Sequence, residues 1–218
     1  MVLANAIYMM GEWQQPFAES ATADSKVISV AGETSVRMMR QVSGFRYAQV
    51  RGAKLVELPY KGGLSMIVVL PDDIDGLEKI EDRVGSSYTD WTAALEYRQV
   101  NLKLPHFTTA TDLDLRGPLE ELGIRQAFDR DAADFSGMTG ERGLFIGRAI
   151  QKAWIETNEK GTEAAAVTVI EMINDSATDG PAPPPPAIFH ADHPFMYLIR
   201  DVQSGEILFI GRVAKPAT

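Results

Sequence analysis

The stretch Leu64-Ser-Met-Ile-Val-Val-Leu70 is apolar at every position but one. A strand with one wet face alternates polar and apolar residues. An unbroken run instead reads as a strand covered on both faces. Pro71-Asp-Asp73 ends it. The rest of the chain must therefore supply apolar surface on two sides of a sheet. With 218 residues, 45% of them hydrophobic and 23% charged, it has the length and composition to do so.

Strand signals recur along the chain. Residues 2–10 carry Val, Ile and Tyr, and Gly11-Glu-Trp-Gln-Gln-Pro16 breaks that run. Val27 to Val30 and Thr34 to Met39 flank Ala31-Gly32-Glu33, which reads as a hairpin. Phe45 to Tyr47 and Ala53 to Pro59 read as further short strands. Val100 to Phe107 alternates and reads as half-buried up to Pro105. Gly143 to Thr157 reads as a strand pair or one long strand, with Ala153, Ile155 and Thr157 on one face. Phe195 to Asp201 and Glu206 to Val213 form a hairpin around Gln203-Ser-Gly205. Helical spacing is confined to Leu77–Val84, Tyr88–Leu95 and Asp114–Leu122. The expected class is α+β, mainly antiparallel sheet with a few short helices, in a single domain over residues 1–218.

Residues 158–189 resist this description. Glu163 and three alanines favour helix, whereas Val167 to Ile170 favour strand. With a period of two, Thr162, Ala164, Ala166, Thr168, Ile170 and Met172 line one face, which is small, apolar or hydroxylated. Pro181-Ala-Pro-Pro-Pro-Pro186 then forms a stiff spacer that cannot join a ladder. So long a loop inside a compact domain is a functional or a disordered segment.

Several chemistries lack support. Net charge is −9, which disfavours phosphate backbones and hence nucleic-acid partners. There is no cysteine, so disulfides, thiol catalysis and Cys-based zinc sites are excluded. No apolar run approaches a membrane span. The first ten residues have neither the charged region nor the cleavage site of a signal peptide, and they read as a strand with no preceding turn. No nucleophile elbow, His-Glu-x-x-His helix or phosphate-cradling glycine motif occurs. His190-Ala-Asp-His193 suggests a metal only weakly, because in an extended segment His193 points away from His190 and Asp192. Asp129, Asp131 and Asp134 lack the glycine and glutamate of a calcium loop and read as a polar turn. Trp13, Trp91 and Trp154 read as core residues. No enzyme, cofactor or metal is expected.

Residues 156–168, Glu-Thr-Asn-Glu-Lys-Gly-Thr-Glu-Ala-Ala-Ala-Val-Thr, resemble the hinge of the reactive-centre loop of serpins. Leu3 to Tyr8 followed by Gly11-Glu-Trp13 resembles the third strand of that family's main sheet and the tryptophan region beyond it. Val56 to Tyr60, Met66 to Pro71, Leu102 to Phe107, Leu122-Gly-Ile124, Ala133 to Gly137, Ala191 to Phe195 and Phe209 to Val213 are similar to family segments and follow family order. The resemblance covers essentially the whole chain. It implies the C-terminal part of a serpin, about three-fifths of one. The N-terminal helices and the first two strands of the main sheet have no counterpart here.

The resemblance implies inhibition of a serine protease, or alternatively a cysteine protease, through a bait loop at about 159–189. Cleavage is followed by insertion of the loop as a new strand between residues 2–10 and 149–158. Glu159, Gly161, Thr162, Glu163, Ala164, Ala165, Ala166 and Thr168 would form the hinge, and family spacing sets the bait bond at Asp175–Ser176. An acidic bait residue implies a target that prefers acidic residues. Asn5, Trp13, His106 and Gln151 fall in the sheet-opening region. Gln151 stands where the family often has histidine; it is expected to keep the ability to hydrogen-bond, for instance to Asn5, but to lose any titration there. His106 stands where many members have lysine and is expected to pair with Glu159, in a contact that weakens as the histidine loses its proton. A non-inhibitory relative and an inactive fragment are the alternatives. The expected location is extracellular, with the cytoplasm as the alternative, and the remaining N-terminal part of the protein is an expected requirement.

Overall fold

A computed structural model describes residues 1–29, 32–162 and 184–215. In chain order the strands and helices are β1 (Val2–Tyr8), β2 (Gly11–Glu12), β3 (Ala23–Ser29), β4 (Gly32–Val50), β5 (Ala53–Pro59), β6 (Leu64–Pro71), α1 (Leu77–Glu81), α2 (Val84–Ala93), β7 (Glu96–Pro105), β8 (Phe107–Asp114), α3 (Arg116–Glu121), α4 (Ser136–Thr139), β9 (Arg148–Asn158), β10 (Gly161–Thr162), β11 (Ala187–His190), β12 (Phe195–Asp201) and β13 (Ile207–Val213). The chain is mixed, mostly sheet with short helices, as expected. Two compact units are found: Met1–Met9 with Thr109–Ile155, and Met10–Thr108 with Glu156–Thr218.

The larger unit is built on an eight-stranded sheet in the order β11-β7-β4-β5-β6-β12-β13, with β3 also paired to β4. The unbroken apolar run lies in β6, which is buried from Ser65 to Pro71. Its neighbours β5 and β12 both pair with it antiparallel. On one face Leu55, Ile67, Val69 and Leu198 pack with Leu77 and Ile80 of α1, Trp91 of α2 and Leu95. This explains the uninterrupted apolar sequence.

Phe45–Tyr47, expected as a separate short strand, lies inside the 19-residue β4. The chain passes through Ser43-Gly44 without a turn, paired to β7 without interruption from Met38↔Pro105 to Tyr47↔Glu96. A Cβ at Gly44 would overlap the Tyr97 ring. Gly143–Thr157 resolves as one strand, β9, beginning at Arg148. The expected helix at Asp114–Leu122 is α3, Arg116–Glu121, and the strand β8 before it was not expected.

In the smaller unit, β1 runs parallel to β9 in continuous register from Val2↔Arg148 to Tyr8↔Trp154. The Met1 nitrogen donates to the Phe145 carbonyl at 2.8 Å. Phe128, Ile146 and Ala149 form a small core with Leu115, Leu119 and Phe135 against it. Trp154 stacks on Tyr8 at 5.2 Å rather than entering the core, whereas Trp13 and Trp91 are buried as expected. Asp129 Oδ1 accepts the backbone N–H groups of Asp131 and Ala132, so this acidic stretch is a polar turn.

Candidate functional site

The end of β9 folds back on itself through Glu159 and Lys160 into β10. Asn158 Oδ1 accepts the Lys160 N–H at 3.0 Å, a local side-chain bond that holds the turn. Gly161 then pairs with Asn158 on one side and Glu12 on the other, and Thr162 pairs with Thr157 and Gly11. The two-residue β10 is therefore a strand flanked on both edges. Gly161 has φ of 148°, which disfavours other residues, and a Cβ there would collide with the Gly11 carbonyl.

Thr162 is fully buried. Its hydroxyl shares a 2.7 Å hydrogen bond with Tyr60, and Tyr60 stacks on Trp13 with ring centroids 4.3 Å apart. Trp13 in turn donates from Nε1 to the Asn158 carbonyl at 3.0 Å. Burial pushes the Tyr60 phenol well above its ordinary value, only partly offset by the bond to Thr162, so it stays protonated.

Glu159 is buried beside this cluster, with one carboxylate oxygen 2.9 Å from His106 Nε2. Burial works to raise the Glu159 pKa. The Thr22 hydroxyl, the local backbone and the His106 charge outweigh it and hold the carboxyl below its ordinary value. Thr22 Oγ1 and His106 Nε2 are buried, and neither makes a well-aligned hydrogen bond. The contact between His106 and Glu159 is an ion pair while the imidazole is protonated.

The structure thus brings Trp13, His106, Glu159, Gly161 and Thr162 into one neighbourhood. Thr22 and Tyr60 join them and were not singled out in the sequence. Tyr60 and Thr162 are 102 positions apart, and no local pattern links them. Asn5 and Gln151 face each other in the parallel register of the smaller unit. The side-chain hydrogen bond expected between them is absent among the described residues: Asn5 lies on an exposed strand while Gln151 is half-buried. Glu163, Ala164, Ala165, Ala166, Thr168, Asp175 and Ser176 lie outside the described residues.

The weak metal reading gains nothing. Among the described residues no group of three His, Asp or Glu side chains could hold a metal. His193, expected to point away from Asp192, instead contacts it at 2.8 Å through Nδ1, and Nε2 lies 2.7 Å from the Pro71 carbonyl. The connection after β11 is not extended there, because the Asp192 N–H turns back to the His190 carbonyl. Burial works to lower the His193 pKa, but the bonds to Asp192 and Pro71 prevail and raise it. Among the described residues no helix is long and apolar enough to cross a membrane.

The family profile described as "Serpin (serine protease inhibitor)" matches residues 1–216. The chain is a serpin. It is 39% identical to human Serpin B3 over 223 residues, covering 99% of this chain and 56% of that protein. It is 40% identical to the leukocyte elastase inhibitor of Equus caballus, covering 99% of this chain and 58% of that protein. Among solved structures, Serpin48 of the insect Tenebrio molitor superposes with a TM-score of 0.83 at 36% identity, over 99% of this chain and 56% of that one. This serpin chain therefore spans somewhat more than half the length of the relatives it matches.

Proposed function

We propose that this chain is the loop-bearing part of a serine-protease inhibitor that works by loop insertion. The seat of Thr162 carries the reading. It is a fully buried strand residue already paired on both edges, and Glu163 follows it directly in sequence. If the inserted loop kept the antiparallel register Thr162↔Thr157, Ala164, Ala166 and Thr168 would fall opposite Ile155, Ala153 and Gln151. The three incoming side chains are small or hydroxylated, and no proline lies between Gly161 and Ser176 to interrupt a ladder.

In this mechanism the protease serine attacks the carbonyl carbon of the bait residue. The bond to the following nitrogen breaks, that nitrogen leaves as a protonated amine, and an ester links the bait residue to the enzyme. Before water can hydrolyse the ester, the loop enters between β1 and β9 as a new strand. Roughly fourteen residues at about 3.3 Å each would carry the enzyme on the order of 45 Å. Native-state strain, released as the new hydrogen bonds form, drives the step.

The proposed bait bond is Asp175–Ser176, a reading that rests on hinge spacing alone, and a carboxylate there would suit a protease with a cationic primary pocket. A cysteine protease is the alternative target. The N-terminal remainder of a full-length serpin is a proposed requirement. An extracellular location is carried as a proposal, with the cytoplasm as its alternative, and fractionation of expressing cells decides between them. Incubation with a panel of serine and cysteine proteases, followed by a denaturing gel and N-terminal sequencing, tests the rest. The reading predicts a band at the summed mass and a new N-terminus at Ser176. Cleavage without any such band would assign the chain to the substrate-like members of the family.

A further inference from the structure

The registers Arg40↔Lys103 and His190↔Lys103 put three basic side chains in one cross-strand row over β4, β7 and β11. Leu102, Leu104 and Phe189, which flank Lys103 and His190 in sequence, are completely buried. By alternation Lys103 and His190 therefore lie on the opposite face. Adjacent strands are about 4.8 Å apart, so the row spans about 10 Å, with Lys103 at its centre and Arg40 and His190 one strand away on either side.

Two nitrogens in the row are orphaned. Arg40 Nε and His190 Nε2 are both buried and have no hydrogen-bond partner. An arginine Nε is always a donor, and a buried donor left unpaired costs about 1–3 kcal/mol, so such a group calls for an acceptor. The described residues do not provide one. No ion pair among them involves Arg40, Lys103 or His190. The nearby carboxylate of Asp192 is engaged by His193. Burial and then Lys103 hold the His190 pKa low, joined by Lys54 and Arg40 and opposed by Asp192, so the local field is positive.

We propose that Arg40, Lys103 and His190 form a binding site for a tetrahedral oxyanion, a sulfate or phosphate group. Three donors arriving from three neighbouring strands match an anion with three or more acceptor oxygens better than a two-oxygen carboxylate. The group is either a free ion or an ester carried on a larger molecule. The proposal does not depend on the inhibitory reading.

The chain has three histidines, so their ring signals can be followed separately by NMR. Inorganic sulfate, inorganic phosphate and phenyl phosphate are titrated in turn at constant ionic strength, with chloride as the balancing salt. The proposal predicts a saturable shift at His190 and a rise in its titration midpoint, with His106 and His193 unmoved. Lys103→Gln and Arg40→Gln should each weaken the binding about tenfold. Equal or tighter binding of phenyl phosphate would identify an ester site, and binding of the inorganic ions alone a free-ion site. A non-saturating drift shared by all three histidines, or binding unchanged in Lys103→Gln, would overturn the proposal. Lys103→Gln and the unaltered chain decide the matter if Arg40→Gln does not fold.

Discussion

Tyr60 and Thr162 share a fully buried 2.7 Å hydrogen bond that fastens the first residues after the β9 turn to the hairpin end of β5. The stack of Tyr60 on Trp13, and the bond from Trp13 to the Asn158 carbonyl, tie the same point to the end of β9. One side chain thus reports on whether Thr162 of β10 is seated. Tyr60→Phe keeps the stack and removes only the hydroxyl, leaving Thr162 Oγ1 without its partner. The expected loss is about 1–3 kcal/mol, read as a lower urea midpoint at unchanged slope.

Gly161 is subject to two separate constraints, and two glycines tell them apart. Gly62 has φ of 92° with nothing near its missing Cβ, whereas Gly161 has φ of 148° with the Gly11 carbonyl in the way. Gly62→Ala should cost about 1 kcal/mol from backbone strain alone. Gly161→Ala should cost clearly more, because the β10 pairing to Gly11 must open as well. Equal costs in thermal unfolding would show that the close approach at Gly161 does not constrain the fold.

His193 gives stability a pH dependence whose sign is fixed. Its folded-state pKa is raised above the ordinary 6.5. The extra stability is therefore fully present below pH 6.5 and is lost as pH rises through the folded-state value. His190 acts on the other side, since its lowered pKa makes the folded chain less stable as pH falls below 6.5. Urea midpoints measured across this range should decline on the alkaline side, and His193→Gln should flatten that limb while leaving the acid limb in place.

Glu57 is buried between two guanidinium groups, with Arg200 Nη2 at 2.6 Å, Arg46 Nη1 at 2.9 Å and the Ser65 hydroxyl at 2.7 Å. Glu57→Leu would leave Arg200 buried and uncompensated. The expected cost is about 3–5 kcal/mol, larger than for Tyr60→Phe or Gly62→Ala, and it is read by calorimetry.

The burial of β6 on both faces was legible because seven residues without alternation leave a strand no other solution. The β12–β13 hairpin was legible from its turn. The continuity of β4 through Gly44 was not, because it lies in the pairing with β7, a strand more than fifty residues away in sequence. At the site, Gly161 and Thr162 were legible as a glycine free of side-chain constraints followed by a small strand former. Tyr60 and Thr22 were not, because their partners come from distant strands and neither type is unusual locally. The expected Asn5–Gln151 hydrogen bond shows the limit of register reasoning: strand pairing brought the two backbones opposite each other without bringing the amides together.

Thr162→Arg bears directly on the proposed function. A charged, long side chain cannot occupy the buried seat beside Tyr60, so insertion should slow relative to hydrolysis of the ester. On a denaturing gel the variant should shift from covalent complex to cleaved chain, while the rate of first attack by the protease is unchanged.

The most direct test of the central claim is the thermal midpoint of the chain before and after a single cut between Glu163 and Pro183, mapped by mass spectrometry. If the freed segment becomes a strand between β1 and β9, the cut chain melts at a higher temperature than the intact one, and Thr162→Arg reduces the gain. A midpoint that stays the same or falls after the cut would contradict loop insertion.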